Sequence, residues 1–278
     1  AWLSMVNPED VVGIKVFSTP GPDIGTRPVV VEAVVEGLKE AGIPAEQIVV
    51  WDKRASELRR AGFFEFTNRL GIRVVAGELA GYDEEAFYET SLVGTPAFGD
   101  HEFGRTGDGV GRKSYFTKLV TGDVTRIISI APLLNHHEAG VTGTLFSLAM
   151  GSVDNTRRFE ASAGQLSRAV PEVYADPRIY DKAILHITDA LICQYEGEQK
   201  AWLHHAAQVN EIWFGRDPVA LDLKAIQELE AQRRKAGAAE RKVNRELYEN
   251  AALLQLGTAD PAGVQVERVR QAGGTSGL

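Results

Sequence analysis

The sequence predicts an α/β protein, a mainly parallel open sheet with helices on both faces, built as a single domain over residues 1–278. Three observations carry that prediction. Short runs rich in β-branched residues recur along the chain: VVGIKVF at 11–17, QIVVW at 47–51, RIISIA at 126–131, ILHIT at 184–188 and EIWFG at 211–215. Segments with apolar residues at helical spacing lie between them. The strand, helix and strand within residues 11–51 make a βαβ unit, whose crossover is right-handed in nearly all proteins. Repeated alternation of this kind implies a parallel sheet.

The elements follow in order. After the first strand and the turn-rich STPGPDIGT, apolar residues Val30, Ala33, Val34, Leu38 and Ala41 predict a helix from Pro28 to Ala41. Thr26 is a candidate cap, Pro28 suits a first turn and Gly42 suits a stop. A helix over 56–70 and the strand GIRVVAG come next. Residues 77–113, rich in glycine, read as a long loop excursion, a length that usually signals function or disorder. AGVTGTLFSLAMG reads as a helix entered through small residues. Pro218 opens a helix running to about Arg234, a further helix covers 239–256, and VQVERVR at 264–270 reads as an edge strand.

Composition narrows the functions. The chain is 44% hydrophobic and 24% charged, with a net charge of −8, which fits a folded globular protein. The acidic balance argues against nucleic acid as a partner, because such proteins carry a basic stripe. No apolar run approaches the ~18 residues that span a bilayer, so no membrane insertion is expected. Cys193 is the sole cysteine, which rules out an internal disulfide and a four-cysteine zinc or iron–sulfur centre supplied by this chain.

Polar residues cluster where the apolar strands end. VVGIKVF leads into Ser18 and Thr19 with Lys15 just inside; QIVVW leads into Asp52, Lys53 and Arg54; RIISIAPLL leads into Asn135, His136, His137 and Glu138; ILHIT leads into Asp189; EIWFG leads into Arg216 and Asp217. In an open parallel sheet, ligands bind outside the carboxyl ends of the strands. Asp52, His136 and Asp189 are therefore expected to converge as a catalytic group, with a carboxylate orienting a histidine as general base. His136, His137 and Glu138 are candidate ligands for a divalent metal, the candidate cofactor.

A small-molecule partner would draw on Thr26, Arg27, Arg54, Asn135, Thr142, Arg157 and Asp217. The small residues before the helices at 28 and 144 would let an anion approach free N–H groups. Arg157 and Arg158, in DNTRRFE, are expected to order the site loop, since guanidinium forks suit carboxylates. No GxxxxGK[ST] phosphate loop occurs, and no GxGxxG follows the first strand.

Five segments in order, VGIKV, TRPVVVEAVVEGLKEAGIPAEQIVVWDKR, IISIAPLLNHHEAGVTGTLFSLAMGSVDNTRRF, ITDALICQYEGE and GRDPVALD, resemble the domain of unknown function 362 family across nearly the whole chain. The resemblance implies an α/β fold with a site near these segments and a biochemical role that is generally unassigned. Relatives with export signals, together with a chain that begins at Ala1, give the expectation of an extracytoplasmic location. The chain departs from the family pattern at Phe17, where asparagine is common, at Leu134, where lysine is common, at Phe146 and Ser147, where a Lys-Asn pair is common, and at Glu160, where histidine is common. His136, Asp189, Asp217 and Asp222 keep to it. Two functions follow as expectations: a metal-assisted or hydrolytic enzyme working at the carboxyl edge of the sheet, or a non-catalytic protein that binds a small molecule or anion.

Overall fold

The computed structural model describes residues 2–94 and 111–270. The chain runs β1 (Val12–Val16), α1 (Pro28–Glu40), β2 (Ile48–Asp52), α2 (Ala55–Arg60), α3 (Glu65–Leu70), β3 (Arg73–Ala76), α4 (Gly77–Ala80), β4 (Tyr82–Glu89) and β5 (Lys113–Thr117). It continues with β6 (Arg126–His136), β7 (Gly140–Val141), α5 (Thr144–Ser152), α6 (Ala163–Tyr174), α7 (Pro177–Tyr180), β8 (Ala183–Gln194), β9 (Ala206–Gly215), α8 (Pro218–Lys235) and α9 (Arg245–Leu253). The main sheet has the order β3-β2-β1-β6-β8-β9, with β7 hanging on β6. β3, β2, β1, β6 and β8 are parallel, whereas β9 and β7 run antiparallel to their neighbours. This is the mainly parallel α/β sheet the sequence predicts.

Each face of the sheet carries its own apolar layer. Val31, Val35 and Leu38 of α1, Leu58 of α2 and Phe66 of α3 cover Ile14, Val50, Ile128 and Ile187 on one face. Leu145 and Leu148 of α5, Leu166 and Val170 of α6, Ile226 and Leu229 of α8 and Leu247 of α9 cover Val49, Trp51 and Ile127 on the other. Alternate residues of each strand thus feed opposite layers. Each fully buried aliphatic side chain contributes about 1.5–3 kcal/mol, so the two layers hold the sheet in place.

β1 and β6 are neighbours, but their onward connections lead to opposite sides of the sheet, which makes this the topological switch point where open α/β sheets place ligands. The carboxyl edge is staggered. Val16 at the end of β1 is level with Ile130, so Ala131–His136 of β6 projects beyond β1 and pairs onward with β8 and β7. β6 continues through Pro132, whose missing N–H falls at an irregularity in the β6–β8 ladder between Pro132 and Leu133.

Several expected boundaries need correction. The 77–113 excursion holds α4 and β4, and β4 forms an antiparallel pair with β5; residues 95–110 lie outside the described residues. The helix expected over 56–70 is two helices, interrupted at Gly62, which adopts a positive φ of 84° that side chains resist. The helix expected over 239–256 is α9 alone. Residues 264–270 form no strand. Among the described residues, no helix is long and apolar enough to cross a membrane.

Candidate functional site

The short ends of β1 and β2 open into a cleft of about 400 Å³ between α2, α5 and the loop after α5. Its floor is a buried ion pair. Lys15 leaves the apolar strand β1 on the α5 face and sets its Nζ 2.9 Å from Asp52 Oδ1. The ammonium also donates to the Val16 carbonyl at 2.7 Å and to Ser147 Oγ at 3.4 Å. Asp52 is fully engaged: Oδ1 also accepts from the Lys53 N–H at 2.8 Å, and Oδ2 accepts from the N–H and hydroxyl of Ser18 at 2.8 and 2.7 Å. Gly151 is what lets Lys15 lie there, because a Cβ on Gly151 would collide with Lys15 Cε.

Cations gather above the floor. Lys53, Arg54 and Arg157 line the cleft, together with Glu57 and Glu160. Lys53 Nζ donates to Thr156 Oγ1 at 3.0 Å, and Thr19 Oγ1 donates to Glu57 Oε2 at 2.9 Å. The Arg157 guanidinium is exposed and donates no hydrogen bond among the described residues. Burial raises the pKa of Glu57, as does the neighbouring charge of Asp52. Burial also raises that of Glu160, against the pull of Lys53, Arg157 and Arg54.

Of the residues expected at the site, Asp52, Arg54 and Arg157 line this cleft. Asp52 does not meet Asp189 or His136. β1 and β6 stand between β2 and β8, so Asp52 and Asp189 are roughly 14 Å apart at ~4.8 Å per strand spacing. Asp189 is level with Pro132, and His136 lies four residues further along β6, roughly 13 Å on at ~3.3 Å per residue. The expected convergence therefore does not form. The reasons are strand order, which puts β1 and β6 between Asp52 and Asp189, and stagger: β6 and β8 extend beyond the points where the sequence pattern ends them, which leaves Asp189 inside a strand and carries His136 further on.

Each of these residues has its own local partner. Asp189 Oδ1 accepts from Arg27 Nη1 at 2.6 Å, and Oδ2 accepts from the Arg27 N–H at 3.1 Å. Burial pushes the Asp189 pKa up, against the opposing charge of Arg27. Thr26 does not cap α1; its hydroxyl accepts from the Phe17 N–H and donates to the Ile130 carbonyl, stitching β1 to β6. His136 Nδ1 accepts from the N–H groups of Glu138 and Ala139, its ring lies 4.2 Å from that of Phe146, and burial lowers its pKa to about 4. It is therefore neutral at physiological pH.

His137 points outward, 56% exposed, and accepts from Arg241 Nη1 at 2.7 Å. His136, His137 and Glu138 thus do not face one point, and among the described residues no group of three or more His, Cys, Asp or Glu side chains is arranged to hold a metal. Asn135 Oδ1 accepts from the Glu198 N–H, and Thr142 is buried in the β7 turn. Asp217 sits at the opposite edge of the sheet, because β9 is antiparallel. There it caps α8, accepting from the N–H groups of Ala220 and Thr258.

The helix amino termini expected to receive an anion already face carboxylates of the chain. Asp222 accepts from the Thr144 and Leu145 N–H groups at 2.6 and 2.9 Å, which fills the start of α5. Gly143 allows this approach: its φ is +39°, and a Cβ there would run into the Asp222 carboxylate. Burial pushes the Asp222 pKa up to about 7, against those two N–H donors. Arg158, expected beside Arg157 at the loop, is buried instead. Its guanidinium donates to the carbonyls of Leu92, Gly111 and Arg112 and to Ser114 Oγ, tying Leu92 to the start of β5.

The sequence reading does not single out Glu57, hidden in an ordinary amphipathic helix. Glu160 stands out there only as a departure from the family pattern. Lys15 could have been weighted more heavily, since a lysine within VVGIKVF must find a partner if the strand is buried. Phe17, Phe146, Ser147 and Glu160, four of the five positions where the resemblance implies a departure, line this cleft.

Fold and site together define an open parallel-sheet α/β protein with a charged cleft at the carboxyl ends of its short strands. The chain belongs to the family described as a domain of unknown function (DUF362), whose model matches residues 12–227. No curated protein matches it. Among solved structures, it is similar to the crystal structure of a protein from Thermotoga maritima, with 14% identity and a TM-score of 0.46 over 85% of this chain. The chain spans 56% of that protein's length.

Proposed function

We propose that the chain binds a small anionic molecule in the cleft at the carboxyl ends of β1 and β2. The observation that carries this reading is the grouping of Lys53, Arg54 and Arg157 over a floor whose own cation, Lys15, is already matched by Asp52. Among the described residues, Arg27 is paired with Asp189, and Arg233 and Arg241 with Glu196, away from this cleft. The Arg157 guanidinium stands at the cleft with its fork of donors turned to solvent, the geometry that recognises carboxylate or phosphate.

A metal-assisted or hydrolytic enzyme has less support. Its general base would be His136, which lies away from both carboxylates and uses Nδ1 to accept backbone N–H groups. Its metal donors point apart. The binding reading is tested by calorimetric titration of the purified protein with inorganic phosphate at low salt. Arg157→Ala is expected to weaken binding about tenfold, the loss of one charge-assisted hydrogen bond. Equal affinity in the variant, or no binding to the wild type, contradicts the proposal.

A further inference from the structure

We infer that the ligand of this cleft is a monosaccharide-sized anion carrying several hydroxyl groups, a sugar phosphate or a sugar acid. The inference rests on the anion-binding reading above and adds the chemistry of the ligand's body to that of its charge.

The lining decides it. Beside the cations stand hydroxyl and amide groups, Thr19, Ser147, Thr156 and Gln199, and the carboxyl groups Glu57 and Glu160. Such a surface pairs with hydroxyls. Thr156 takes a hydrogen bond from Lys53 and keeps its own proton to donate. Thr19 gives its proton to Glu57 and keeps lone pairs to accept. A carboxylate accepts from a ligand hydroxyl in a short, charge-assisted bond. A compact polyanion would instead meet the like charges of Glu57 and Glu160. One anionic group at Arg157 and Lys53, with neutral hydroxyls spread over the carboxyl groups, satisfies both halves of the lining.

Size and shape agree. The cleft of about 400 Å³ lies in the lower part of the ~300–1,000 Å³ range of ligand sites. Its aromatic side chains, Phe17 and Phe146, are only 7% and 4% exposed, so neither presents a ring face on which a base or another aromatic ring could stack.

The test is calorimetry on the whole chain with glucose 6-phosphate, ribose 5-phosphate, gluconate, glucose and inorganic phosphate, repeated on Glu160→Gln. At least one hydroxylated anion is expected to bind wild type about tenfold tighter than inorganic phosphate, one to two extra hydrogen bonds to charged groups. Glucose should bind more weakly than that anion. Preference for the phosphates or for gluconate tells a phosphate from a carboxylate head. Glu160→Gln should shrink the advantage several-fold while leaving inorganic phosphate bound at least as well. If inorganic phosphate binds and no hydroxylated anion binds tighter, this inference falls and the anion-binding reading stands. If no anion binds, both fall. Glucose binding as tightly as the anions also overturns the inference. The wild-type comparison among ligands holds even if the variant fails to fold.

Discussion

The two halves of the main sheet treat charge differently. In the half made of β6, β8 and β9, the strands are long, and the polar residues beyond the switch point are closed off by the chain itself: Asp189 on Arg27 and Asp222 on the start of α5. In the half made of β1, β2 and β3, the strands stop after four or five residues and leave a cleft whose floor, Lys15 with Asp52, is matched internally and whose mouth carries the exposed Arg157 guanidinium. Both halves place carboxylates and cations at the same edge. What separates them is whether a projecting strand brings the partner in from within the fold or leaves the place to solvent. Internal satisfaction makes structure, and the open mouth is where the proposed ligand would bind.

That contrast can be broken first at its most buried point. Lys15→Met leaves Asp52 buried without its cation and should lower unfolding stability by about 3–5 kcal/mol in urea denaturation. Removing both partners in Lys15→Met with Asp52→Leu should restore part of the loss. If the single variant is as stable as wild type, the pair is not the floor described here.

In the closed half, Asp222→Ala strips two N–H donors of α5 of their acceptor and should cost about 2–4 kcal/mol. Its proton sharpens the point. The folded pKa near 7 lies above the ~3.9 of an unfolded aspartate, so its contribution is full below about pH 4 and is lost as pH rises through about 7. Wild type should therefore lose stability relative to Asp222→Asn between about pH 4 and pH 7. A difference that stays constant, or that grows in favour of wild type, contradicts this account.

Arg158→Ala should follow at about 2–3 kcal/mol, because the carbonyls of Leu92, Gly111 and Arg112 lose their shared donor. Arg157→Ala, one residue away but exposed, should shift stability by no more than about 0.5 kcal/mol. Adjacent arginines with opposite consequences, one for stability and one for ligand binding, would be the contrast on its smallest scale. Denaturation curves of the two variants decide it.

The core strands and the helices begun by Pro28 and Pro218 were legible in the sequence, because β-branched runs and helical spacing state directly which faces are buried. The placement of the site was legible in part. Asp52, Arg54 and Arg157 share the cleft as residues of one edge. His136 and Asp189 do not, because Pro132 marks the end of a strand in sequence while the chain absorbs it at a ladder irregularity and continues. Asp217 was misplaced because EIWFG carries no mark of its direction; an antiparallel strand reads like a parallel one. The β4–β5 pair was missed because YDEEAFYE shows its charged side to solvent and only Tyr82 and Ala86 are buried.

The most direct measurement of the central claim is the anomalous scattering of tungstate, a heavy stand-in for phosphate, soaked into crystals of the wild-type chain. The account predicts a peak in the β1–β2 cleft within hydrogen-bonding distance of Arg157 and Lys53, and none at the starts of α1 and α5, where Asp189 and Asp222 already sit. A peak at either helix start, or an empty cleft beside tungstate bound elsewhere, would contradict it.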